Sequence, residues 1–371
     1  MRPRARLVLL LPLVLVTLAA CGESKPKEYK IGAILALSGR GKTYSEEAKK
    51  GMELAVEQLN AAEFKETPIR LIEADSGSDA AKAVEELRTM ADQEHVPVVV
   101  GMIMSDEVLA AAPESTKKKV VILSPNASSD DIKNAGDYIF RNRESAALQS
   151  EAVARAAVER FGRKKIVILH STSANAISYR DAFVDAVVGL GAPIPSMVSY
   201  EEGKTDYTKE IAELQARQPD AVYLAGLDKE MALILKEARD AGFAPQFFAS
   251  AGAISEALLE TAGPAAEGLV SGSAHFDAES SEPHIRAFVS AYEKRYGEKP
   301  GRIAANAYDA VNLVATTFKQ GAVDADAVKA GLYAVKNYPG VGGTTTFDSF
   351  GEVQKPIMLV QVQGGQFKPL T

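Results

Sequence analysis

Ala36-Leu37-Ser38-Gly39-Arg40-Gly41-Lys42-Thr43 carries glycines, a lysine and a hydroxyl in the order a phosphate-binding loop uses, between a strand-like and a helix-like segment. In such a loop the backbone N–H groups cradle phosphate oxygens, the lysine reaches the terminal phosphates and the hydroxyl holds Mg²⁺. Here alanine replaces the first glycine. The best apolar strand to supply a second metal ligand, Leu71-Ile72-Glu73-Ala74-Asp75, is interrupted by a charge. The segment is expected to be a glycine-bearing turn with a solvated Lys42. The four histidines, His95, His170, His275 and His284, have no second His or Cys at ligand spacing, so no zinc site is expected and no metal. His170 closes a strand-like run and reads as a hydrogen-bonded structural residue. Neither a G-x-S-x-G elbow nor an H-E-x-x-H motif occurs. The expectation is a protein without catalytic residues or cofactors, not an enzyme.

The single cysteine stands at one informative place. Arg2, Arg4 and Arg6 precede the apolar run Leu7 to Ala20, which is followed at once by Cys21 and a polar stretch. A run of fourteen largely apolar residues with a proline inside it is too short to span a bilayer. It suits a secretory signal peptide, residues 1–20, and implies export. Leu18-Ala19-Ala20-Cys21 resembles the bacterial lipobox, which makes Cys21 a lipid anchor rather than a nucleophile, with residues 21–28 as a tether. Each acyl CH₂ that enters the bilayer contributes about 0.8 kcal/mol, so a chain bearing two or three acyl groups would be held firmly. One thiol also excludes an intrachain disulfide. The formal charge is −7 for the whole chain, and more negative once the three leader arginines are removed. Nucleic acid is an unsuitable partner for such a surface.

From Lys30 onward, short apolar strands alternate with helices. KIGAILALS leads to a helix whose Ala48, Met52, Ala55, Val56 and Leu59 fall on one face. PIRLIEAD, a helix with Ala83, Val84, Leu87 and Ala91, PVVVG, a helix from Ser105, VVILS and DYIFR complete one series. KKIVILH, SMVSYE, DAVYLAG and QFFAS, with helices between them, form a second. After Gly268 the pattern becomes helix-rich, through Pro283 to Tyr296 and Ile303 to Gln320, and closes with TTTF and PIMLVQV. Strands that are apolar throughout need both faces covered, so each series predicts a doubly wound α/β lobe with a parallel sheet. Ligands of such sheets lie outside the carboxyl ends of the strands. That rule selects the loops 37–44, 101–105, 124–129, 171–178, 226–229 and 250–254.

LSGRGKTYSEEAKKGMELAVEQLNAA, DSGSDAAKAV, VGMIMSDEVLAAAP and ILSPNAS, followed by DYTKEIAELQARQPDAVYLAG, EMALILKEARDAGFAPQFFAS and AAEGLV, resemble in order and spacing the branched-chain amino-acid (Leu/Ile/Val) binding proteins of ABC transporters. The resemblance implies a type I periplasmic binding protein fold, two lobes joined by three crossovers expected near Ser145, His275 and Gly340. Lobe 1 would comprise 29–145 and 276–340, lobe 2 146–275 and 341–371. In the resembled family a ligand carboxylate is held by the hydroxyl at the position of Ser105 and by backbone N–H and hydroxyl groups of the segment Asn126-Ala127-Ser128. Tyr44 takes the position of an aromatic wall. Helix starts favour anions at Ser105 and Ser128, although either serine would serve equally as a plain N-cap.

The second lobe departs from the family pattern. Ala251 stands where an amino-acid binder places the acid that pairs with the ligand's α-ammonium, Asn175-Ala176 replaces Tyr-Gly, and Leu227 replaces an aromatic residue. The expectation is a monomeric, extracytoplasmic solute-binding lipoprotein, periplasmic or at the cell surface of a bacterium. It would close on a small carboxylate-bearing solute and deliver it to an ABC transporter permease. An envelope ligand sensor or regulator on the same fold is the alternative, and an exported P-loop nucleotidase a more distant one.

Overall fold

The computed structural model describes residues 26–274 and 276–370. The expected leader, the Cys21 anchor and the crossover residue His275 lie outside the described residues. The first series of elements runs β1 (Tyr29–Leu35), α1 (Lys42–Ala62), β2 (Ile69–Asp75), α2 (Ala80–Thr89), β3 (Val98–Val100), α3 (Ser105–Lys118), β4 (Val121–Ser124) and β5 (Ile139–Arg141). These strands pair in the order β2-β1-β3-β4-β5, all parallel, with Tyr29 opposite Ile69 and Leu35 opposite Asp75. The apolar face of α1 is the one its 3.6-residue period marks: Ala48, Met52, Ala55 and Leu59 are buried under the sheet. Truncating a buried residue such as Met52 to alanine would cost about 2–5 kcal/mol.

The second series runs α4 (Ala146–Arg155), β6 (Ile166–Ser171), α5 (Ala174–Gly189), β7 (Ser196–Tyr200), α6 (Thr208–Arg217), β8 (Ala221–Ala225), α7 (Asp228–Asp240), β9 (Gln246–Ala249), α8 (Glu256–Ala262) and β10 (Val270–Ala274). It is followed by α9 (Pro283–Tyr296), α10 (Arg302–Lys319), α11 (Ala325–Tyr333), β11 (Tyr338–Gly340), β12 (Gly343–Thr345), β13 (Ile357–Gln363) and β14 (Gln366–Pro369). The second sheet has the order β14-β13-β10-β9-β8-β6-β7 and is parallel except at the β13 and β14 edge. The architecture is therefore two α/β lobes with doubly wound parallel sheets. Among the described residues no helix is long and apolar enough to cross a membrane.

Strand β10 escapes a reading by apolar runs because its sequence is VSGSA. Its polar atoms are satisfied in place: Ser271 Oγ donates to the carbonyls of Ala249 and Ser250, both at 3.0 Å, and Ser273 Oγ donates to Glu144. Helix α10 returns to the first lobe and packs along α1. A side chain at Gly51 would meet the Ala304 carbonyl oxygen at 2.2 Å, so the two helix backbones approach as closely as glycine alone allows.

The chain passes between lobes after Arg141, between β10 and α9, and between Lys355 and Ile357. The third crossing lies beyond the Gly340 expected from sequence, because Phe347 and Val353 pack in the first core and β13 enters the second sheet only at Ile357.

Candidate functional site

The strand ends fix the loops that face the cleft. Leu37 and Ser38 donate their N–H groups to Asp75 Oδ1 at 2.9 and 3.3 Å, and Gly41 donates to Ser78 Oγ at 2.9 Å. Gly39 has φ +76°, and a Cβ there would lie 2.6 Å from the Gly77 carbonyl oxygen. This loop spends its N–H groups on its own neighbours. Lys42 is exposed and pairs with Glu46, so the segment is a turn and not a phosphate cradle.

Ser105 opens α3 at the end of a loop whose Met102 is held at φ 55° by bonds from its N–H to Ile34 O, at 2.7 Å, and from Ser124 Oγ to its carbonyl, at 2.8 Å. Ser105 Oγ accepts the N–H groups of Ser128 and Ser129 at 3.2 and 3.1 Å, while Ala127 N–H donates to Ser124 Oγ at 3.0 Å. The N–H groups of 127–129 are thus bonded within the lobe.

Several bonds cross the cleft. Ser128 Oγ donates to Asn175 Oδ1 at 2.5 Å, and the Asp228 N–H donates to Tyr44 Oη at 2.9 Å. Ala174 N–H donates to Asp106 Oδ1 at 3.1 Å, Asp130 N–H donates to Ser178 Oγ at 2.8 Å, and Arg40 pairs with both Asp106 and Glu202. Burial, and next the Asp228 carboxylate, push the Tyr44 hydroxyl well above its ordinary pKa, so it remains a neutral phenol. These contacts describe lobes closed on one another.

Between the lobes lies a narrow pocket with a cavity volume of about 30 Å³. Tyr44, Ile103, Met104, Ser105 and Asn126 line it from the first lobe, and Asn175, Tyr179, Gly226, Leu227 and Gly252 from the second. Arg143, on the first crossing, and Arg302, the first residue of α10, complete the wall. Of the residues singled out from sequence, Tyr44, Ser105, Asn126, Asn175 and Leu227 line this pocket. Ser128 meets it through its bond to Asn175. Ala127 is buried in the core beside Ile132, and Ala251 is buried with its neighbour Gly252 forming the wall.

Among the described residues no Asp or Glu lines the pocket. Asp228 and Glu230, the acids nearest Leu227 in sequence, stand behind the wall, where both add to burial in raising the pKa of the Tyr44 hydroxyl and both have other hydrogen-bond partners. Asp228 accepts from Ser255 Oγ at 3.0 Å and Lys229 N–H at 2.9 Å; Glu230 accepts from Gly203 N–H at 2.8 Å and Tyr200 Oη at 3.2 Å.

Sequence reasoning missed Arg143, Tyr179 and Arg302. Arg143 donates to Asn126 O and Oδ1 at 2.5 and 2.9 Å and to Tyr179 Oη at 2.9 Å. Behind both arginines is the buried Glu144, whose Oε1 accepts from Ser273 Oγ, Ala274 N–H and Gln149 Nε2 at 3.0, 2.9 and 3.0 Å. Burial works against its charge, yet Arg143 and Arg302 together hold its carboxyl below the usual range. Tyr179 had a sequence signal: it lies one helical turn after Asn175 on α5, so both share a face. Arg302 had none, since α10 is remote in sequence from every loop of the cleft.

Residues 28–366 match the periplasmic binding protein family. The Leu-, Ile-, Val-, Thr- and Ala-binding protein of Pseudomonas aeruginosa is 24% identical over 328 residues, covering 88% of this chain and 87% of that protein. The branched-chain amino acid transporter substrate binding protein of Streptococcus pneumoniae, solved with isoleucine, superposes with a TM-score of 0.83 at 27% identity, covering 92% of this chain and 98% of that one. A solute binding protein of an R. palustris ABC transporter, solved with benzoate, shares the fold with a TM-score of 0.84 at 20% identity, covering 92% and 95%. With nearly its whole described length matched and its cleft built at the strand ends, the chain belongs to the periplasmic binding protein family, whose members are substrate-binding proteins and not enzymes.

Proposed function

We propose that this chain is the extracytoplasmic solute-binding lipoprotein of an ABC importer, anchored through Cys21, and that it captures a small carboxylate in the cleft by closure of the lobes. The observation that carries the ligand class is the composition of the pocket wall: two arginines, neutral polar groups and apolar side chains, with no carboxylate among the described residues. An α-ammonium drawn into this space would lose its water and find no carboxylate in the wall to pair with, the nearest to Leu227, Asp228, being already bonded to Ser255 and to the Lys229 N–H, at a cost of several kcal/mol. A carboxylate would find cationic donors. Leu227, Ile103 and Met104 offer an apolar side to the same ligand. The isoleucine-bound relative shows an amino acid on this fold, and the benzoate-bound neighbour an acid without an amino group.

The mechanism follows from the two-sided wall. A solute that touches Tyr44 and Ser105 on one lobe and Asn175 and Leu227 on the other has contacts to both only when the lobes are closed, so it shifts the equilibrium by its differential affinity, and the permease reads the closed form. Titration of leucine and of its deaminated 2-oxo acid against the purified protein, by calorimetry and thermal shift, tests the reading. Binding of the oxo acid with little response to leucine is expected. Tight leucine binding with no response to the oxo acid would return the protein to amino-acid specificity.

A further inference from the structure

The hydrogen-bond inventory of the pocket separates donors already used from donors still open. In the segment after β4, the N–H groups of Ala127, Ser128 and Ser129 and the hydroxyl of Ser128 all have protein acceptors. At the other end, Arg143 Nε and Arg302 Nη1 are buried and meet no acceptor among the described residues. Arg143 itself is 4% exposed, so its open N–H has no bulk water to satisfy it.

Resting on the solute-binding reading above, we propose that Arg143 and Arg302 together hold the ligand's carboxylate, with its tail directed toward Ile103, Met104 and Leu227. The site would then take a compact organic acid with an apolar body, bound in an orientation that leaves the start of α3 at Ser105 and the segment around Ser128 to shape the wall.

Three further features support this. Arg143 is fixed by Asn126 and Tyr179, so its guanidinium is held in place before a ligand arrives. Arg302 begins α10, whose next N–H groups, of Ile303 and Ala304, are capped by Glu47 Oε1 at 2.9 and 3.0 Å, which sets the direction in which the helix start faces. Burial, and next the charge of Arg143, lower the pKa of Arg302, the expected result of two guanidiniums sharing a space that an anion would relieve. The open Nε of Arg143 and Nη1 of Arg302 also discriminate by charge, since a charge-assisted hydrogen bond to a carboxylate is stronger than one to a neutral amide carbonyl.

The test uses a matched set of probes: isovalerate and benzoate, their neutral amides isovaleramide and benzamide, and leucine, each titrated by thermal shift and calorimetry against the parent chain, Arg302→Gln, Arg302→Lys and Arg143→Lys. The acids are expected to bind the parent at least tenfold more tightly than the amides. Arg302→Gln should lose about tenfold in acid affinity while leaving amide binding as weak as before, and Arg302→Lys should fall between. Circular dichroism melting shows whether each variant is folded; Arg143→Lys supplies the second arm if Arg302→Gln is not.

Acid and amide binding equally well, or full acid affinity in Arg302→Gln together with its loss in Ser105→Ala, would overturn the arginine site while leaving a solute-binding protein. A parent that binds leucine and none of the acids would do the same. A parent that binds none of the probes would overturn the arginine site, because two open guanidinium donors in a small closed pocket must respond to carboxylate. A parent that is also indifferent to a broad screen of other solutes would overturn the solute-binding reading itself.

Discussion

The Ser105 hydroxyl oxygen accepts the Ser128 backbone N–H at 3.2 Å, and it accepts a second N–H, from Ser129, at 3.1 Å. A side chain that sequence marks as a ligand contact is thereby also a structural link between α3 and the segment after β4. Removing it strands two buried donors. Ser105→Ala is expected to destabilise the protein by about 1–3 kcal/mol, the cost of leaving a buried polar group unsatisfied. Chemical denaturation measures this directly. A variant as stable as the parent would mean that the two N–H groups find other acceptors.

Closure has its own handle in Tyr44. Its hydroxyl oxygen accepts the Asp228 N–H at the start of α7 across the cleft, at 2.9 Å, whereas its ring lies in the first core. Tyr44→Phe keeps the ring and removes the acceptor, which costs roughly 1 kcal/mol, but only in the closed form. The expected result is about fivefold weaker ligand binding with nearly unchanged stability of the open protein. Small-angle scattering should show a larger radius of gyration without ligand than the parent has. Equal radii and equal affinities would show that the bond does not bias closure.

The crossings are tied by buried charge. Lys355 Nζ donates to the carbonyls of Asn142 and Gly342, both at 3.0 Å, and to Asn306 Oδ1 at 3.3 Å, while Asp309 accepts the N–H groups of Val341 and Gly342 at 2.8 and 2.7 Å. Burial raises the Asp309 pKa to about 6, with Lys355 and the two N–H donors opposing. A carboxyl whose folded pKa lies above its unfolded value of about 3.9 holds more proton when folded, so its contribution to stability is full below pH 4 and falls as pH rises toward 6. Asp309→Asn is expected to flatten the stability-versus-pH curve in that window relative to the parent. A difference curve with no slope between pH 4 and 6 would remove Asp309 from the pH response.

Legibility from sequence follows the physics of each element. AVYLA of β8 is apolar at every position and announces a buried parallel strand. VSGSA of β10 is equally buried but offers two serines and a glycine, whose satisfaction depends on Glu144 and Ala249, distant in sequence. The pocket shows the same divide. Tyr44, Ser105, Asn126, Asn175 and Leu227 lie in or beside loops that the strand-end rule selects. Arg143 sits past the short strand β5, and Arg302 enters from a helix that returns to the first lobe only because α10 packs on α1 through Gly51. No local pattern carries that return. The late third crossing has the same cause, since Phe347 and Val353 are isolated apolar residues whose core is assembled from other parts of the chain.

Cys21 gives a prediction independent of the cleft. If the leader is cut before it and its thiol carries lipid, Cys21→Ser should leave an unprocessed or soluble form. Fractionation of cells expressing parent and variant reads the outcome. A variant that still partitions with membranes as the parent does would refute the anchor.

Glu144 tests the sign of the electrostatics. It is buried beside Arg143 and Arg302, its Oε1 carries three hydrogen bonds, and its Oε2 has no partner among the described residues. Glu144→Gln therefore can keep the bonded oxygen while deleting one negative charge behind the two guanidiniums. With less compensation inside the protein, an incoming carboxylate gains attraction. Affinity for isovalerate or benzoate is expected to rise about threefold to tenfold, equivalent to roughly 0.6–1.4 kcal/mol. The ligand-free protein should lose stability, because two buried cations lose a counter-charge that only a bound anion restores. Adding the acid should then recover more melting temperature in the variant than in the parent. Weaker acid binding in Glu144→Gln would show that the carboxylate of Glu144 is needed to aim the arginines and that its orienting role outweighs its charge.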